Sequence, residues 1–95
     1  MKLYLVTPTV KLRNYDKVLS LLVAANTPEE AKLIHPCTCK DLESWAEWDE
    51  DFVTPVFWES GIWVTSPEQT EVQEFGICTL PLTEPQIVMY SFHHG

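Results

Sequence analysis

The side chains of this 95-residue chain that are best suited to chemistry gather in His35-Pro36-Cys37-Thr38-Cys39, with Cys78, His93 and His94 further along. Thiolate and imidazole are ligands that zinc prefers, so the residue types suit a metal site. The spacing does not, because Cys37 and Cys39 have one residue between them where a zinc knuckle has roughly two to four. The other candidate ligands form no second spaced pair. Proximity to a helix C-terminus accounts for His35, since the dipole there favours a cation. A Cys–His nucleophile would need a strand-to-helix elbow, a glycine-rich oxyanion loop and a third orienting group. None is recognisable, and three glycines in the whole chain leave no phosphate-cradling loop. Carboxylates abound but are unspecific in so acidic a sequence. The residues therefore point away from an enzyme and imply no cofactor.

A second cluster lies in Asp41–Asp51, which packs six acids and two tryptophans into eleven residues. Leu42, Trp45 and Trp48 stand three apart, so a short amphipathic helix would place all three on one side. Two readings of this block are open. In one, the tryptophans, together with Trp58 and Trp63, fill a small core and the acids form a solvated face. In the other, Trp45 and Trp48 anchor a partner whose basic surface meets Asp41, Glu43, Glu47, Asp49, Glu50 and Asp51. These eight residues are the candidate partner-binding set.

The charge distribution favours a protein partner. Residues 1–40 hold all six basic side chains and three acids, a net of +3. Residues 41–95 hold eleven acids and no Lys or Arg, a net of −11, and together the halves give the net charge of −8. Direct nucleic-acid binding needs a basic surface, so it is disfavoured. An acidic surface can instead occupy a basic cleft, including one that normally takes nucleic acid. No stretch reaches the roughly 18 apolar residues of a membrane span. The first residues lack the apolar region and cleavage site of a signal peptide, which places the chain in the cytoplasm. The odd number of cysteines, Cys37, Cys39 and Cys78, argues for free thiols over a disulfide framework.

Around these clusters the chain reads as one α+β domain over residues 1–95. Lys2–Thr7 is a strand stopped by Pro8, and the apolar run Val18–Ala25 is a central strand pairing antiparallel with it. Thr27 caps a short helix, with Pro28 at its first position and Glu30 completing a capping box. Pro36 ends that helix at His35. Phe52–Trp58 and Ile62–Val64 would form a hairpin about Glu59-Ser60-Gly61, and Ser66-Pro67-Glu68-Gln69 one helical turn. Thr70–Cys78 and Gln86–Phe92 are two further strands. The expected architecture is a small, largely antiparallel sheet of about four strands, one short helix on one face, and an acidic-aromatic insertion.

Met1–Val6, Tyr15-Asp16, Val23–Ala31 running into Ile34-His35-Pro36, Trp63-Val64, the strand ending in Phe75-Gly76 and the terminal Ser91–Gly95 form an ordered set of segments. Taken in that order, they resemble a family of short tailed-bacteriophage accessory proteins. The likeness omits residues 37–60 and the cysteines. It implies a phage genome and a host-cytoplasmic protein, and it carries no activity. The expectation is a non-enzymatic phage protein that binds and modulates a host protein through an acidic surface, an anti-defence inhibitor being one form. The alternatives are a minor virion or assembly component and a small zinc-binding protein.

Overall fold

The fold is seen in a computed structural model that describes residues 1–12, 16–45, 47–48 and 55–93. Strand β1, Lys2–Pro8, turns Tyr4 and Val6 to one side, as the two-residue period of a strand requires. Strand β2, Lys17–Ala25, runs antiparallel beside it and places Val23 opposite Tyr4 and Leu21 opposite Val6. All four side chains are buried, and with Ala25 they form the floor of the core.

Helix α1, Pro28–Lys32, follows at once and lies over this floor, with Ala31 buried against it. The capping signal is realised: Thr27 Oγ1 accepts from the Glu30 N–H at 3.1 Å. The Glu30 carboxylate reaches one residue beyond the cap and accepts from the Asn26 N–H at 2.8 Å. The chain then makes a 3-10 turn at Pro36–Thr38 and the four-residue helix α2, Lys40–Glu43, whose Leu42 is buried in the core. Two-residue strands β3, Glu47–Trp48, and β4, Pro55–Val56, pair antiparallel outside the main sheet.

Strands β5, Thr70–Ile77, and β6, Gln86–His93, complete the main sheet in the order β5-β1-β2-β6, with every pairing antiparallel. The chain's first two strands are thus the central pair and its last two the edges. Helices lie on one face of a four-stranded antiparallel sheet, the small α+β arrangement that the sequence led us to expect.

Two expectations are corrected. The amphipathic helix through Leu42, Trp45 and Trp48 ends at Glu43, and Trp48 belongs to a strand. Further helix there would have lined up Glu43 and Glu47 at a helix C-terminus, where the dipole repels negative charge, and so short a segment cannot offset its nucleation. The hairpin about Gly61 is also absent. Phe57–Glu59 is a 3-10 turn, and Gly61 closes it with φ 81°. Ile62, Trp63 and Val64 are buried without joining a strand, and the Ile62 carbonyl accepts from the Val18 N–H at 2.7 Å. Phe52–Thr54, the start of that expected hairpin, lie outside the described residues.

The register between β1 and β5 slips beside Leu3 and Tyr4, leaving Phe75 as an extra residue next to Gly76. Gly76 holds φ 148°, a backbone conformation that side-chain-bearing residues rarely adopt, although nothing lies within 4 Å of where a Cβ would be. Gly76→Ala is therefore expected to lose about 1–3 kcal/mol of stability through backbone strain alone. Urea denaturation measures it, and an unchanged midpoint would show that the bulge relaxes freely.

Candidate functional site

Helix α2 sets out the first part of the acidic-aromatic block. Burial of Leu42 fixes the helix against the core, so its neighbours Asp41 and Glu43 face outward and are exposed. Lys40 is the one basic residue of this helix. Just past its end, Trp45 remains 38% exposed and rests its ring against Phe92 of β6, centroids 5.4 Å apart and tilted 46°. The Tyr90 hydroxyl donates to Asp41 Oδ2 at 3.3 Å. Partial burial and then the Asp41 carboxylate raise the Tyr90 phenol above its ordinary pKa, so it stays a neutral donor. Asp41, Trp45, Tyr90 and Phe92 thus share one side of the molecule, where α2 leans on the edge strand, whereas Glu43, two residues on from Asp41, leaves another face of α2 and lies near Cys37.

Of the eight candidate residues, Asp41 and Trp45 come together here, and Glu43 is exposed on another face of α2. Glu47 and Trp48 enter strand β3, paired with Val56 and Pro55. Asp49, Glu50 and Asp51 lie outside the described residues. The other tryptophans divide between the two open readings. Trp63 is buried in the core and Trp58 is half-buried against it, whereas Trp45 is a surface ring with one side backed. Tyr90 and Phe92 were absent from the sequence-derived set. Their signal was the alternation Tyr90-Ser91-Phe92, which turns both rings to the same sheet face, but nothing local says that α2 would meet them.

The His35 region has a different character. Its imidazole is buried, stacked on Phe57 at 5.5 Å and 16°, with the Trp58 ring edge-on at 4.8 Å. Nδ1 accepts from the Cys37 N–H at 3.0 Å, so His35 caps the turn that Pro36 begins. That bond fixes the neutral ring with its proton on Nε2. Burial pushes the His35 pKa down to about 4, the Phe57 carbonyl offsetting part of the fall. The dipole explanation for this residue is thus overturned: α1 ends at Lys32, and burial disfavours the cation that a helix C-terminus would attract. Burial likewise raises the Cys37 thiol to about 11, which leaves it protonated and weakly nucleophilic at neutral pH.

Cys39 and Cys78 are free and partly exposed. Among the described residues, no group of three or more His, Cys, Asp or Glu side chains converges as a metal would require. No described helix is long and apolar enough to cross a membrane. Comparison with known proteins finds no matching family model, no matching curated protein and no matching solved structure.

The buried imidazole has a consequence for stability. Its pKa is about 4 when folded and 6.5 in the unfolded chain, so it contributes fully above pH 6.5. As pH falls towards 4 the unfolded chain takes up the proton first, and on the order of 3 kcal/mol is lost. His35→Asn keeps a side-chain acceptor for the Cys37 N–H but removes the titration. Urea midpoints measured at pH 7.5, 5.5 and 4.5 should fall more steeply for the native chain than for this variant, and parallel slopes would refute the assignment.

Proposed function

We propose that the chain is a non-enzymatic phage accessory protein that binds and modulates a host protein in the host cytoplasm. The contact surface is the acidic-aromatic side built on α2. The observation that carries this reading is the placement of the exposed Trp45 ring on the same side as Asp41, on a helix whose Glu43 is also exposed, in a half of the chain with no Lys or Arg. An aromatic anchor in an acidic segment suits a partner with a basic, partly apolar patch.

Phe92 backs Trp45 and the Tyr90 hydroxyl holds Asp41, so part of this surface is ordered before a partner arrives. Preordering lowers the entropy lost on binding. The phage setting rests on the resemblance carried by Met1–Val6, Val23–Ala31 and Ser91–Gly95. In that setting a nucleic-acid-binding complex of a host defence system is a fitting target, because carboxylates can occupy a cleft made for phosphates. Asp49, Glu50 and Asp51 continue the acidic run in sequence and belong to the same proposal.

The test is affinity capture from host lysate by the tagged chain. A variant with Asp41, Asp49 and Asp51 changed to Asn, and Glu43, Glu47 and Glu50 changed to Gln, runs beside it. The native chain should retain one host protein or complex, more weakly as salt rises. The variant should lose it while keeping the native circular dichroism spectrum. Equal capture by both forms at low and high salt would remove the acidic surface from the account. Retention of nothing, with the chain found in purified particles, would instead favour a virion component.

A further inference from the structure

The core and its helices occupy one face of the sheet, and the middle of the other face is also apolar. Leu5 and Leu22 lie opposite each other on β1 and β2, and Met89 on β6 stands opposite Leu22. Phe75 on β5 closes the far side, and these residues enclose a shallow groove of about 250 Å³. Phe75 is 62% exposed and Met89 64%. None of the groove's lining residues is charged, in a chain where 21% of residues are. An apolar sheet face flanked by a protruding Phe and Met is unusual on a lone domain.

We infer that this face is covered by a second copy of the chain, packed sheet to sheet across a two-fold axis. Three observations select that occupant. The first is size: four strands at about 4.8 Å and eight residues at about 3.4 Å span roughly 500 Å² per copy. Two such faces bury about 1,000 Å² or more, the lower bound for a specific interface.

The second observation is self-complementarity. An axis along the strands lays β5 of one copy over β6 of the other, because these are the two edges. Phe75 then comes against Met89 of the second copy, a favourable ring–sulfur contact, and Leu5 against its Leu22. The third is charge at the rim. The alternation that turns Val18 and Val72 inward turns Lys17 and Glu71 outward, at the same end of the sheet. The same axis brings Lys17 of one copy within about one strand spacing, ~4.8 Å laterally, of Glu71 of the other. The uncharged centre offers a basic or acidic foreign protein nothing to recognise.

The salt dependence separates this interface from the acidic one. Each copy carries −8, so self-association is opposed by repulsion that salt screens. The dimer should therefore tighten as salt rises, whereas binding through the α2 surface should weaken. Sedimentation equilibrium of the native chain at low and high salt tests this. The expected mass is about twice the 10.9 kDa of one chain, with a lower dissociation constant at high salt.

Met89→Glu and Phe75→Glu change exposed positions and should keep the native circular dichroism spectrum. Each should raise the dissociation constant by on the order of 100-fold, because a buried carboxylate without a partner is costly. A mass of 10.9 kDa for the native chain at every concentration and salt would overturn the inference. So would a dimer that both variants leave intact, since such a dimer would use another surface, such as the β6 edge.

Discussion

Pairing between β1 and β2 is the constraint on which the rest of the molecule depends. Tyr4 against Val23 and Val6 against Leu21 form a continuous apolar layer on one side of the two central strands. A one-residue slip would turn all four side chains to the opposite face. With the register set, α1 has a floor for Ala31, Leu42 can anchor α2, and the irregular segment Ile62–Val64 can be buried beside β2. The edge strands then extend the layer through Val72 and Ile87. Even the candidate site inherits its geometry from this pairing, because Tyr90 and Phe92 reach α2 only when β6 is in register with β2.

The parts legible in the sequence are those that local chemistry decides. Thr27-Pro28-Glu29-Glu30 fixes the start of α1 through bonds spanning four residues or fewer. The run Val18–Ala25 is too apolar for anything but a central strand, and the prolines confine the ends of their segments. Where the sequence misled, distant contacts decided. Trp48 shares a helical period with Leu42 and Trp45, yet its backbone pairs with Pro55. Ile62–Val64 has the composition of a strand, but one hydrogen bond to Val18 and burial against the core replace a ladder.

The candidate site was half legible for the same reason. Six acids in eleven residues announce an acidic surface whatever the fold, so Asp41 and Glu43 could be named from composition. Whether a given tryptophan faced solvent could not, because Trp45 and Trp63 differ only in what the fold places around them. His35 makes the point most sharply. As sequence it is a polar residue near Pro36, whereas as structure it is a neutral ring stacked on Phe57 with Trp58 edge-on to it, holding a turn closed through Nδ1.

The placement of the last two strands at the sheet's edges has a kinetic meaning. During synthesis β1 and β2 can meet early, since they are neighbours in the chain. Strand β1 must then wait for β5, some sixty residues later, and β2 about as long for β6. Loop closure over such distances slows folding, and a nascent central pair with both edges bare is open to pairing with other chains. A newly made molecule thus passes through a sticky adolescence that ends when β5 and β6 cover the central pair.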